Sequence, residues 1–570
     1  MTSNKGENLI KRVLLGAVFA LILSLAMPGA ARGAPRPRPD FNGDSRADLA
    51  IGVPNQNVGA AVGTGVVHVI YGTPGGPNPF FGNQIFSALN CTLIDGITGN
   101  QTGLHFGSVL AWGDFNGDGY DDLAVGIPDY NPPYPPDGMP QAGMVYILKG
   151  SAAGLVLAQT QALVSTNLGP PLNVNQDRGD RFSAALAAGN FNGDISPAGY
   201  PIDDLAIGTP GEDGWDGVAS IPNAGDVYVV YGKSFHLGDP RPLDRTTAQG
   251  WSQNGKAIWW PDIEGHPQAG DQFGSALVAG DFNGDGCADL AIGVPGEAGG
   301  VGAVNVIYGS PVGLHAAAGP GDQFWQQGLN IPGMPVAGDL FGFSLAAGNF
   351  NGDVSPLGYP IDDLAIGAPR AAVANQAFAG EVNVIYGSND GLQAGGQHWT
   401  QSSPGILDDG NFAGDQFGFA LAATDFNGDG RADLAIGVPF DDPGVVASAG
   451  AVNVIYGSAA GLNAFAPVAS QYWHQNSPGI QGINDLNDQL GRSLAAGDFN
   501  GDGLADLVVG VPNDRVGGIS AGAVNLIYGS PSPVGLGSAA GPGNQLWHQN
   551  SPGVPDVCEP GDSFGVGARR

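Results

Sequence analysis

Cationic residues are scarce in this chain: 20 Lys and Arg stand against 53 Asp and Glu, a formal net charge of −33 over 570 residues. So acidic a surface repels polyphosphate and excludes non-specific nucleic-acid binding. Only three cysteines occur, Cys91, Cys287 and Cys558, and none lies in a zinc-type spacing; whether Cys91 and Cys558 pair to pin the chain ends is not decided by spacing alone. Helix-forming runs are few and charged residues make up 13% of the chain, which points to an all-β protein. Beyond the N-terminal region no segment is apolar enough to span a membrane. A nucleophile elbow with suitable partners and a P-loop are also missing, so no catalytic motif stands out. Glycine (97) and proline (44) are abundant instead. Together they approach the level of low-complexity chains, but periodic apolar strands argue against disorder.

One stretch organises the rest. From Asp425 to Pro439 it reads D-F-N-G-D-G-R-A-D-L-A-I-G-V-P. Oxygen-bearing side chains stand at positions 1, 3, 5 and 9 (Asp425, Asn427, Asp429, Asp433), and Gly428 and Gly430 allow the tight turn that lets them converge, as in a calcium loop. It resembles the first part of an EF-hand loop, without the Glu at position 12 and without flanking helices. Leu434 to Val438 is a short apolar run stopped by Pro439, so the loop joins two strands. The same four positions recur as Asp40, Asn42, Asp44 and Asp48; Asp114, Asn116, Asp118 and Asp122; Asn190, Asn192, Asp194 and Asp204; Asp281, Asn283, Asp285 and Asp289; Asn349, Asn351, Asp353 and Asp363; and Asp498, Asn500, Asp502 and Asp506. In the third and fifth loops position 1 is Asn, and an insertion precedes Asp204 and Asp363. Lost charge and a longer loop both weaken binding there, although Ser196 or Ser355 can supply an oxygen. The expectation is therefore Ca²⁺ at five stronger and two weaker sites. Seven ions would offset 14 of the 33 net negative charges.

Along the chain, Lys5, Lys11 and Arg12 precede an apolar run from Val13 to Met27 and small residues after it, which predicts a signal peptide over 1–34 rather than a retained anchor. Residues 35–39 (P-R-P-R-P) read as a stiff spacer. From 40 to 570 each repeat carries four strand signals. In the sixth they are Phe417 to Thr424, the run leaving the calcium loop, Gly450 to Gly457, and Gln471 to Gln475 with its Q-x-W pattern. Four short strands repeated seven times predict a seven-bladed β-propeller of four-stranded antiparallel blades. The first unit lacks its opening strand, and Gly561 to Gly567 matches that strand at the far end. The reading is ring closure by the C-terminal strand, in place of a truncated eighth repeat.

Phe-Gly and Gly-x-Pro bracket these loops. The first stands at Phe106, Phe273, Phe341, Phe417 and Phe564, with departures at Phe182-Ser183 and Leu490-Gly491; the second stands at Gly52, Gly126, Gly208, Gly293, Gly367, Gly437 and Gly510. This pattern resembles the FG-GAP repeat of integrin α-subunit propellers and of many bacterial extracellular proteins. The resemblance implies calcium loops on one face, between first and second strands. It also implies adhesion or ligand binding on the opposite face, with extracellular protein or glycan partners. Fold alone does not carry function, so a polysaccharide hydrolase or lyase with His and carboxylates gathered at the ring centre, and a structural matrix protein, remain alternatives. The expectation is a secreted or cell-surface, non-catalytic monomer.

Other features have plainer explanations. Arg178-Gly179-Asp180 falls on the G-D-x-F-G repeat opening, which predicts it without any adhesive role. The recurrent Trp near each fourth strand suits packing between blades better than a sugar platform. His474 and His548 share a repeat position and lack metal-binding partners. The largest irregularity, Lys233 to Gly270 with Trp251, Trp259 and Trp260, reads as either drift or a binding surface.

Overall fold

The second and third strands of each repeat are apolar at nearly every position. A sheet explains this only if both its faces are covered. In the computed structural model Asp433–Val438 is buried at all six positions and Ala451–Ile455 at all five. The pleat sends Leu434, Ile436 and Val438 into the core shared with the preceding sheet, and Ala435 into the core shared with the following one. Seven sheets built this way form a seven-bladed β-propeller. The structure describes residues 38–566 except 89, 92–101, 132–140, 169–177, 216–218, 235–240, 254–261, 318–319, 409 and 411. The expected leader, most of the spacer, Trp259, Trp260 and Gly567 lie outside the described residues. Among the described residues helix is confined to Glu297–Gly300 and three short 3-10 segments.

Five sheets are four-stranded antiparallel meanders. Their registers repeat: Trp325, Trp399, Trp473 and Trp547 each stand opposite a third-strand valine, at Val304, Val382, Val452 and Val524. The tryptophans pack between blades, as the sequence predicted. The preceding Gln does the tying. In the sixth blade the Tyr456 hydroxyl donates to Gln471 Oε1, the Leu536 N–H of the seventh blade donates to that hydroxyl, and Gln471 Nε2 donates to Leu536 O.

Two blades depart from the pattern. In the third, the described part of Lys233 to Gly270 supplies sheet: Leu243–Gln253 is the fourth strand, and Asp262–Ile263 adds a short fifth strand parallel to its end. Trp251 is fully buried opposite Val227, so Gln249-Gly250-Trp251 is this blade's own Q-x-W. Trp251 is thus a core residue of the blade and adds nothing to a binding surface. The first blade has three strands. Its inner place is held at one end by Asp48 N–H donating to Pro39 O at 2.6 Å, and at the other by Gly565 N–H donating to Gly52 O at 3.2 Å. Phe564 is fully buried in the core between the last and first blades. The C-terminal segment thus sits where ring closure requires it, but among the described residues one ladder bond replaces the expected full strand. Cys91 and Cys558 are buried free thiols.

Arg38, at the end of the spacer, pairs with Asp121 at 2.6 Å and Asp203 at 2.5 Å, and its guanidinium lies 4.9 Å from the Trp112 ring centre. Inside the ring the first strands line a cavity of about 660 Å³ walled chiefly by Ala and Leu side chains.

Candidate metal centres

The seven loops turn on position 1. Asp425 Oδ1 accepts from the N–H of Gly428 at 2.6 Å and of Asp429 at 3.2 Å, and Oδ2 accepts from Gly430 at 2.8 Å. Asp40, Asp114, Asp281 and Asp498 repeat this grip. Asn190 and Asn349 reach the same turn differently: one amide oxygen accepts from position 5, and Nδ2 donates to that residue's carbonyl, at 2.8 Å to Asp194 O and 2.6 Å to Asp353 O.

Position 9 is the deepest group. Asp48, Asp122, Asp204, Asp289, Asp363, Asp433 and Asp506 are all 0–1% exposed. Asp433 Oδ2 accepts from Phe426 N–H and Oδ1 from Gly457 N–H, both at 2.9 Å. The same two-handed clamp recurs at Asp48, Asp204, Asp289, Asp363 and Asp506. It fastens the loop to the end of the third strand. Burial pushes Asp48, Asp363, Asp433 and Asp506 up to about 8, against the lowering effect of those N–H groups, and the other loop carboxylates add to the rise. Asp114 rises to about 7 and Asp281 to about 6, chiefly by burial.

Positions 3 and 5 are less deeply held, although the second oxygen of Asp118, Asp285 and Asp502 meets Lys149 Nζ at 3.1 Å, Asn283 Nδ2 at 3.3 Å and Asn500 Nδ2 at 2.9 Å. Asp429 Oδ1 accepts from Arg431 N–H at 3.0 Å, and Asp44, Asp118, Asp285 and Asp502 accept likewise two residues on. Asn42, Asn192, Asn283, Asn351 and Asn500 each accept from the position-5 N–H, whereas Asn116 and Asn427 turn their amides onto Asp122 and Asp433. In four loops a buried oxygen is left without a hydrogen-bond partner: Asn116 Oδ1, Asp194 Oδ1, Asp353 Oδ1 and Asn427 Oδ1. Among the described residues no group of three or more His, Cys, Asp or Glu side chains is gathered closely enough to hold a metal ion. The donor set, Asp and Asn oxygens on a tight turn, nonetheless has the hard-oxygen chemistry of a Ca²⁺ site, and the orphaned oxygens supply lone pairs for it.

Ser196 and Ser355 stay with their own insertions: each Oγ accepts from a tyrosine N–H four residues on, Tyr200 at 3.2 Å and Tyr359 at 3.3 Å. Cys287, at position 7 of the fourth loop, has its thiol pushed up to about 12 by burial and the surrounding aspartates. In Arg178-Gly179-Asp180 the aspartate is 2% exposed, like Asp271, Asp415 and Asp488 at the same repeat position. The tripeptide is therefore not displayed as a ligand. His474 Nδ1 accepts from Asn476 N–H. The central cavity is lined by Asp362 and Asp425 among its acids, and both already hold backbone N–H groups.

The FG-GAP repeat family model matches residues 39–70, 106–148, 273–307, 417–455 and 490–524. Phosphatidylinositol-glycan-specific phospholipase D of Rattus norvegicus is 35% identical over 170 residues, 30% of this chain and 19% of that protein. Integrin alpha-PS2 of Drosophila melanogaster is 28% identical over 319 residues, 54% of this chain and 20% of that protein. The match thus spans about a fifth of the length of these relatives. Among solved structures, the periplasmic gluconolactonase of Pseudomonas aeruginosa superposes with a TM-score of 0.39 at 13% identity, covering 88% of this chain and 96% of that one, too loosely to bear on function. The described residues contain no helix long and apolar enough to cross a membrane. With the loops, the Phe-Gly turns and the blades in register, the chain carries FG-GAP repeats and is similar over part of its length to integrin α subunits.

Proposed function

We propose that this chain is a secreted, calcium-stabilised propeller that acts by binding, presenting a rigid face to an extracellular protein or glycan. The observation that carries the calcium part is the set of buried loop oxygens with no hydrogen-bond partner, on Asn116, Asp194, Asp353 and Asn427. A buried acceptor left bare costs free energy, and a cation would satisfy it. Positions 1, 3, 5 and 9 would hold the ion with the position-7 carbonyl, and the ion would add positive charge beyond what Arg46, Lys149 and Arg431 bring to Asp44, Asp118 and Asp429. The platform reading rests on the likeness to integrin α chains, and secretion on the N-terminal sequence.

A binding role is favoured over a catalytic one by what the acids do. Position-1 and position-9 carboxylates are engaged with the backbone of their own blades, and the central cavity has alanine and leucine walls. The likeness to a phospholipase D covers only 19% of that enzyme.

The test is a thermal melt of the mature protein with and without EDTA, alongside elemental analysis of bound calcium. Five to seven ions per chain and a large drop in Tm in EDTA are expected. Few ions and an unmoved melt would overturn the calcium reading.

A further inference from the structure

The seven loops touch one another around the ring. At every junction the N–H of position 8 donates to the position-1 carbonyl of the preceding loop: Asp121 to Asp40, Asp203 to Asp114, Ala288 to Asn190, Asp362 to Asp281, Ala432 to Asn349, Ala505 to Asp425, and Ala47 to Asp498, at 2.8–3.2 Å. The last of these closes the circle from the first loop back to the seventh. A second strut runs beside six of them. The residue after the glycine clamped by position 9 donates to the position-2 carbonyl of the preceding loop, for example Ser530 N–H to Phe426 O at 3.2 Å and Ser458 N–H to Phe350 O at 3.1 Å.

Side chains reinforce the backbone at the same junctions. A Cβ built on Gly428, position 4 of the sixth loop, would lie 2.5 Å from the Leu504 side chain of the seventh; on Gly43 it would lie 2.6 Å from Tyr120, and on Gly501 3.0 Å from Arg46. In the third and fifth loops the insertions do this work: Ser196 and Ile202 cover Gly117, and Ser355 and Ile361 cover Gly284. Each loop is therefore roofed by the next.

We infer that the loops bind calcium as one linked ring rather than as seven independent sites, each occupied loop preorganising its neighbours. This rests on the calcium reading above. The physical link is short. Position 8 lies between the position-7 carbonyl and the position-9 carboxylate, two proposed ligand groups of its own loop. Its N–H fixes the residue whose side chain is position 1 of the neighbour. Ordering one loop around an ion thus removes part of the ordering cost of the next, which is positive coupling without any large movement. The coupling is reciprocal, as linkage between binding equilibria requires, so each loop acts on the neighbours at both its junctions. The insertions in the third and fifth loops, which the sequence reads as weakening those sites, serve the second and fourth as roofs.

The experiment is equilibrium calcium binding, with ⁴⁵Ca²⁺ as probe, on the whole mature chain and two variants. Asp502→Asn removes a position-5 carboxylate from the seventh loop; Leu504→Ala keeps every ligand and removes only the roof over the sixth. Under coupling, Asp502→Asn should lose one strong site and also weaken at least one of the neighbouring sites by roughly five-fold or more. Leu504→Ala should weaken one site at unchanged stoichiometry. Circular dichroism in saturating calcium confirms that each variant is folded, and Asp502→Glu, which keeps the charge, should restore the neighbour's affinity in part. If Asp502→Asn removes one site and leaves all other affinities unchanged, and Leu504→Ala matches the wild type, the linked ring is wrong while calcium binding stands. If the wild-type chain binds no calcium, both readings fall.

Discussion

Position 9 and position 5 are both aspartates in the loop motif, yet they face different fates. Asp433 is buried and bridges two backbone N–H groups, whereas Asp429 is partly exposed and accepts from one. Asp433→Asn puts an amide NH₂ where a second acceptor is needed, so it should cost about 1–3 kcal/mol by urea unfolding even in EDTA. Asp429→Asn should matter little in EDTA and lower Tm only with calcium present. Equal effects in both conditions would show that the two positions share one role. Titration gives a second prediction. Asp48, Asp363, Asp433 and Asp506 sit at about 8 in the folded, metal-free chain, above the ordinary aspartate value of about 4 in the unfolded chain. A carboxyl that binds its proton more tightly when folded favours folding below the unfolded value, and that contribution is lost as pH rises through the folded one. Melts in EDTA should therefore fall steadily between about pH 5 and pH 8, and excess calcium should flatten the slope.

The blade is the scale at which the sequence was most legible. Apolar runs such as Asp433–Val438 are short, ended by Pro439, and spaced by loops of one pattern, so strand order followed from periodicity. What stayed hidden was long-range pairing. That Gln471 ties its blade to Leu536, or that Ala432 N–H reaches Asn349 O, depends on atoms some 65 to 83 residues apart that no local pattern records. Trp251 was hidden for a different reason: its Q-x-W lies in an eleven-residue strand with a bulge between Val229 and Tyr231 on its partner, where the fourth strands of the next four blades have three residues. Loop glycines, by contrast, were legible, and they differ in consequence. Gly428 has φ +72° with Leu504 overhead, while Gly430 has φ +85° and nothing within 4 Å. Both resist a side chain through backbone conformation, at about 1–2 kcal/mol. Gly428→Ala adds a clash and should lower Tm more than Gly430→Ala by differential scanning calorimetry.

For the whole molecule the decisive junction is between the last and first blades. Phe564 fills the core between them, and Gly565 supplies the one ladder bond to Gly52. Phe564→Ala should cost about 3–5 kcal/mol, and removal of 561–570 should cost more, with early proteolysis in the first blade as the readout. If both variants melt like the wild type, the ring is not held at that junction.

This junction also sets an order of events in time. A ribosome makes the first sheet some five hundred residues before Phe564. Until Phe564 emerges, the nascent chain is an open arc whose first blade has its inner edge exposed and whose first and last loops have not met. Exposed strand edges invite pairing with other chains. The interval before the ring closes, not the stability of the finished ring, is thus when this protein is most vulnerable.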